Sequence, residues 1–443
     1  MTNRSVDRRR FLGTSLAASL AGWGLLRSPA WAAPLSSSNE TIQQAWQTAL
    51  SILSPRDRDI EHGLKLHADA LVFDAYGFSP RAAIDGEAFQ KAVDEGLSES
   101  ELTDLREEMS MTRAAKSEAE RQEYLEAFHA AGVTCVFQNA GEEGNDPLRL
   151  IKRLARFTYL TDHMNGELTK AVAPDDLLAA KKAGKLCLAF TTNGVPLRHE
   201  WESMRDELRL VRIFQQLGVQ MMHLTYNRRN PLGDGAGEPN DGGLSDFGHT
   251  AVAEMNRLGV IVDVAHSGWR TAREAALASK RPMVASHTTC AGLYKHFRGK
   301  PDDTIKAICD TDGLVGICCI PRFLGGSGDI RALLDHIDYA VKKFGPDHVA
   351  IGTDVAYTSR NDAAERAKLA KRTAPRVSGG RWEHLWPADD FRTSGEMTRS
   401  LAWTNWPVFT IGLVSRGHSD DTIRKILGQN MLRVWRANQT AQK

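Results

Sequence analysis

Short apolar runs rich in β-branched residues recur along the chain, each separated from the next by a longer stretch of amphipathic, helical character. Eight of them predict strands: Leu71–Asp74, Val133–Gln138, Leu186–Phe190, Val219–Leu224, Val260–Val264, Met283–Ala285, Leu314–Ile317 and Val349–Gly352. The intervening stretches carry helix stop signals. Leu208 to Phe214 leads to Leu217-Gly218, and Ala251 to Leu258 leads to Gly259. Eight strands alternating with helices predict an α/β fold, a closed (β/α)8 TIM barrel, in which function gathers at the carboxyl ends of the strands. An open doubly wound sheet is the structural alternative. It usually carries a glycine-rich phosphate turn after its first strand, and Asp74-Ala75-Tyr76-Gly77-Phe78 is not one. Two irregular segments interrupt the alternation. Asn227–Ser245 is rich in Gly, Asn and Asp, and Arg360–Arg392 is polar with Trp382 and Trp386. Long loops on a barrel are expected to be lids or substrate walls, with a solvated excursion of no role an equal alternative for the second.

The first 32 residues read as an address. Arg8-Arg9-Arg10 before Phe11-Leu12 has the form of a twin-arginine signal, followed by a mildly apolar run and an Ala30-Trp31-Ala32 cleavage site. Export to the periplasm is expected, with residues 33–443 forming a single barrel domain. Removing residues 1–32, which hold five arginines and one aspartate, takes the formal charge from +1 to −3 over 411 residues. That balance leaves no basic footprint for nucleic acid. No segment of the mature chain is long and apolar enough to be expected to span a membrane. The six cysteines lie mostly in apolar runs, including the vicinal Cys318-Cys319, and read as buried small hydrophobes rather than a disulfide framework.

Three polar residues stand just past predicted strands: His266 after Val260–Ala265, His287 after Met283–Ser286, and Asp354 after Val349–Thr353. In a closed barrel these ends share one mouth, so two imidazoles and a carboxylate are expected to face a common point. That set suffices for a divalent metal with open positions for water.

The stretches Gly243–Ser245, Asn256–Ser267, Pro282–His287, Arg298–Asp303, His336–Asp338, Val349–Asp354 and Ile426–Val434 resemble the membrane (renal) dipeptidase family, the M19 metallopeptidases. The resemblance implies a barrel of the metal-dependent hydrolase type and cleavage of dipeptides at a two-zinc centre. It implies that His266 and His287 are second-metal ligands and that Asp354 binds the first metal and handles the water's proton. It further implies that Arg298 holds the substrate's C-terminal carboxylate, a task suited to a planar guanidinium. Family members are often membrane-tethered dimers, so a homodimer is an expected assembly.

Several positions depart from the family's pattern. Its His-x-Asp after strand one falls here at Tyr76 and Phe78, its bridging Glu at Asn193, and its substrate-contacting His at Tyr226. Phenylalanine cannot bind a metal, tyrosine does so only as a phenolate, and asparagine cannot bridge two cations as a carboxylate does. His67-Ala68-Asp69 precedes the first strand and is expected at the opposite end of the barrel; Glu142 and Glu143 are better placed to supply a carboxylate. The expected centre is therefore reduced, one zinc ion rather than two, with iron as the alternative, held by His266, His287 and Asp354. Asp354 is expected to act as general base, Tyr76 and Tyr226 as oxyanion donors, and Arg298, Tyr226 and Asn193 as contacts to a dipeptide or small amide. Two other readings stay open: a repurposed barrel enzyme in periplasmic metabolite maturation, such as that of a siderophore, and a non-catalytic peptide-binding barrel.

Overall fold

The structure, a computed structural model, describes residues 36–141, 147–198, 201–370 and 386–439. The twin-arginine segment, Glu142, Glu143 and Trp382 lie outside the described residues. Nine strands lie among the described residues: β1 Phe73–Gly77, β2 Cys135–Gly141, β3 Leu168–Ala171, β4 Leu186–Thr192, β5 Val219–His223, β6 Ile261–Asp263, β7 Val284–Thr288, β8 Leu314–Ile317 and β9 Val349–Ile351. All pairings are parallel, in the order β1-β2-β4-β5-β6-β7-β8-β9, with β3 on β4. Each of the eight expected runs overlaps a strand of this nearly closed barrel. The unforeseen β3 pairs with Leu186–Ala189 of β4, whose later residues Phe190–Thr192 pair with β5. Its Leu-Thr-Lys-Ala sequence is too short and too polar to register as an apolar run.

Alternation along the strands sorts their side chains into two layers. Val72, Val136, Leu188, Met222, Val262, Ala285, Val315 and Ile351 pack outward beneath the helices. Phe73, Cys135, Phe137, Cys187, Ala189, Met221, Ile261, Val284, Leu314 and Ala350 form a second, interior cluster. Trp435 of the last helix closes that cluster, with its ring 5.3 Å from Phe137 and 6.1 Å from Phe73. The surrounding helices follow their end signals. Helix Asp246–Leu258 is capped by the Ser245 side chain on Gly248 N–H and stops at left-handed Gly259. All six cysteines are buried and unpaired.

The seam between β9 and β1 is held by one carboxylate. Asp74 accepts Thr353 N–H at 2.9 Å, Thr353 Oγ1–H at 2.6 Å and Trp403 Nε1–H at 3.1 Å, while Asp354 N–H donates to Tyr76 O at 3.1 Å. Asp74→Ala strands two buried N–H donors and is expected to cost roughly 2–4 kcal/mol of unfolding free energy. Denaturant unfolding checks this; a loss below about 0.5 kcal/mol would show the seam to be held otherwise.

Candidate active site

Strand alternation that turns Met221 and Ile261 into the barrel turns His223 and Asp263 inward two residues later, at the mouth. His287 stands on β7 within a register slip between Ala285 and Thr288. The slip has a steric partner on β8 and just past β9. A Cβ at Gly316 or Gly352 would lie 1.9 Å from Ser286 O, so β7 approaches their backbones where only glycine fits. His266 follows β6 on a turn clasped by the Asn227–Ser245 loop, whose Ala236 N–H donates to His266 O at 2.8 Å.

The imidazoles of His223, His266 and His287 are buried, and one ligand atom from each lies within 4.8 Å of the others. Their outer nitrogens are engaged. His223 Nδ1 donates to Thr192 O at 2.6 Å, His266 Nδ1 donates to Asn227 Oδ1 at 2.8 Å, and His287 Nδ1 meets Ser286 Oγ at 2.8 Å. A carbonyl or amide oxygen only accepts, so His223 and His266 present unprotonated Nε2 lone pairs inward. Metal-ligating histidines are oriented in this way. Burial, reinforced by the Arg298 charge, holds His266 and His287 well below the usual imidazole range. Burial also lowers His223, against the pull of Asp263.

The inward nitrogens suit a cation. His266 Nε2 and His287 Nε2 stand 2.8 Å apart, whereas two nitrogens on a tetrahedral zinc ion would stand roughly 3.3 Å apart. A small opening of the rings would seat an ion. His223 Nε2 and Asp263 Oδ2 are 3.0 Å apart yet neither is in an aligned hydrogen bond. Two buried acceptors facing each other at that distance are relieved by a shared positive charge.

The remaining expected residues gather round this cluster, in places differently from expectation. Asp354 is half-buried at φ 56° and is not a member of the three-histidine group. Burial raises its carboxyl to about 6, opposed by the charges of Arg298 and Arg81. Tyr76 is fully buried, its ring stacked on His287 at 3.7 Å, and its hydroxyl donates to Asn193 Oδ1 at 2.7 Å. Burial raises that phenol well above its ordinary value, so it stays protonated and its proton is committed to Asn193. Tyr226 lies half-buried with its ring 4.4 Å from that of His266. His67 is far from this arrangement in its contacts, hydrogen-bonded to Thr410 and Ala131 among the outer helices.

Arg298 is 1% exposed, and among the described residues no carboxylate lies within ion-pairing distance of it. Its guanidinium donates to Ala265 O, meets His266 Nε2 at 3.4 Å and lies over the Phe323 ring. Lys300, fully buried two residues on, donates to Ser267 O at 2.5 Å. Burial, with Arg298 adding to it, pushes that ammonium down to about 7. His223, Asp263 and Lys300 escaped the sequence reading. A period-two count from Met221 would have exposed the first.

The model of the membrane dipeptidases, peptidase family M19, matches residues 90–371. The chain belongs to the M19 family. Dipeptidase aclJ of Aspergillus oryzae is 34% identical over 151 residues, covering 33% of this chain and 36% of that protein. The chain spans between about a third and a half of the length of the curated relatives it matches. Among solved structures, an amidohydrolase from Pseudomonas aeruginosa shares the fold at a TM-score of 0.59 and 24% identity, covering 85% of this chain and 98% of that one. A metallo peptidase from Rhodobacter sphaeroides, liganded with a phosphinate mimic of the dipeptide L-Ala-D-Ala, does so at 0.58 and 16%, covering 84% and 100%. Within the M19 pattern, the positions that depart from the first-metal ligands are here filled by packing: Tyr76 on His287, Phe78 edge-on to Tyr76 at 5.9 Å, and Asn193 on the Tyr76 hydroxyl.

Proposed function

We propose that the chain is a metal-dependent hydrolase of dipeptides or small amides, exported by the twin-arginine route to the periplasm and working with one metal ion. The observation that carries this reading is the convergence of three buried, neutral imidazoles beside a buried arginine that makes no ion pair within 4 Å among the described residues. His223, His266 and His287 would hold the ion, and a divalent cation there supplies Lewis acidity toward an amide carbonyl and toward water. Arg298 binds and orients the substrate's terminal carboxylate, gaining the close ion pair that it lacks among the described residues. Asp354, with its carboxyl near 6, takes the proton from the attacking water and passes it to the departing amine. Tyr226, half-buried against His266, donates to the oxygen on which negative charge develops. The dipeptidase named among the relatives and the dipeptide mimic bound to the Rhodobacter enzyme support this substrate class.

A second reading, a peptide-binding barrel without turnover, draws support from the Tyr76–Asn193 hydrogen bond that occupies the first-metal region. Elemental analysis of protein expressed with its signal, followed by dipeptide assays with added zinc, manganese and iron, separates the two. About one metal per chain with amide hydrolysis is expected. Binding of dipeptide by calorimetry, with no metal retained and no turnover, would replace the hydrolase with the binding protein. Iron as the metal that co-purifies and sustains turnover would favour the iron-dependent alternative.

A further inference from the structure

Arg298 is held by its backbone as well as by its guanidinium. Its carbonyl accepts Thr288 Oγ1–H at 2.7 Å, and its N–H donates to Nδ1 of His296 at 3.1 Å. The turn that carries it is closed by Gly299 N–H on His296 O at 2.9 Å. It hangs from helix Trp269–Ala278 through Trp269 Nε1–H on Gly299 O at 2.7 Å. His296 is buried, with its ring centroid 4.5 Å from that of Phe297 and 4.8 Å from that of Phe323. Phe323 is also the ring over which the Arg298 guanidinium lies, at 5.4 Å. One imidazole thus braces both ends of Arg298: a nitrogen takes the backbone N–H, and the ring packs on the aromatic that faces the charge.

An Nδ1 that accepts carries no proton, so neutral His296 bears its proton on Nε2. That nitrogen faces Asp389 Oδ2 at 3.4 Å, within ion-pairing range though outside aligned hydrogen-bond geometry. Burial pushes the imidazole down to about 4 against the pull of Asp389, which keeps the ring neutral near pH 7. Asp389 lies in the second irregular segment, residues 360–392, which interrupts the barrel's alternation. Its other oxygen accepts Phe391 N–H at 3.0 Å, fixing the direction of the carboxylate. Neighbouring contacts seat this part of the segment beside Arg298. Trp386 stands edge-on to Phe297 at 6.0 Å and beneath the Arg322 guanidinium at 5.3 Å. Phe391 closes on Gly328, where a Cβ would lie 2.5 Å from its ring.

We propose that His296 is a positioning residue for Arg298, and that Asp389 in turn fixes the tautomer and orientation of His296. The irregular segment thereby takes part in recognising the substrate's terminal carboxylate. This proposal rests on the hydrolase reading, and its test separates the two. With metal-loaded protein, kcat/KM is measured for Ala-Ala and for its C-terminal amide. His296→Phe keeps a ring between Phe297 and Phe323 and removes both nitrogens. It should lower Ala-Ala hydrolysis roughly tenfold, mostly through KM, and the amide by less than about twofold, the scale of one buried hydrogen bond. His296→Asn, whose amide oxygen replaces Nδ1 as acceptor, should recover most of that loss. Asp389→Ala should act on Ala-Ala alone by a smaller factor, and combining it with His296→Phe should add nothing, as expected of coupled groups. Thermal unfolding confirms that each variant folds. An acid-to-amide ratio unchanged in either single variant, an equal loss on both substrates, no recovery with asparagine, or additive losses in the double variant overturns the proposal. If neither substrate is cleaved, the hydrolase reading falls and calorimetry with N-acetylalanine and its amide decides the matter. Carboxylate binding selectively weakened in His296→Phe supports the positioning role; any other pattern, including no binding by the unaltered protein, rejects it.

Discussion

His287→Ala is expected to lower metal affinity by at least a hundredfold and to reduce amide hydrolysis to below roughly 1% of the unaltered chain. The reason is geometric. His287 Nε2 faces His266 Nε2 at 2.8 Å, and removing it leaves two nitrogens where three converged. Neither Tyr76 nor Asn227 can take its place, since Tyr76 keeps its proton on Asn193 and Asn227 is held by His266. The same substitution also removes the ring on which Tyr76 stacks, so a stability loss accompanies it. His287→Gln retains more of the packing and separates the two effects. If both variants keep full metal content by elemental analysis, the three-histidine centre is wrong. Protons do not compete for these nitrogens near neutrality, because burial and Arg298 keep His266 and His287 far below their ordinary titration range. Metal content is accordingly expected to be flat from pH 6.5 to 8, checked by equilibrium dialysis.

The second large effect is expected at Arg298. Arg298→Met keeps much of the apolar stem and removes the guanidinium charge that lies over Phe323. A dipeptide with a free carboxylate should lose about a hundredfold or more in kcat/KM, the scale of a buried charged hydrogen bond. The matching dipeptide amide, which has no terminal carboxylate, should lose far less. A lysine there is expected to rescue poorly, since one ammonium cannot reproduce the fork that reaches Ala265 O and His287 O while leaving a face for substrate. Steady-state kinetics on the two substrates decide it. An equal loss on both would make Arg298 a structural support for the histidines rather than a carboxylate binder.

Much of the scaffold behind these predictions was legible one segment at a time. The apolar run Val260–Val264 and the Leu258-Gly259 stop marked a helix-to-strand transition because a glycine beyond the last apolar position is a local signal. His266 stood out because it follows that run directly. His223 did not, because it is the last residue of its own strand and looks like one more position in an apolar segment. Its role depends on facing the interior at the same height as Asp263, a matter of register between two strands. The partnership of Tyr76 with Asn193 was equally hidden, as it joins residues 117 positions apart.

Local order determined the alternation of strands and helices, the barrel class, the M19 motifs and the identity of His266, His287 and Arg298 as candidates, since periodicity and caps act between near neighbours. Ring closure decided the rest: which nitrogens meet, that Asp354 stands apart from them, and that Arg298 has no ion pair within 4 Å among the described residues. The physical reason is that strand register and the inward approach of β7 toward Gly316 and Gly352 are fixed by contacts between distant segments, and site geometry changes wherever register changes.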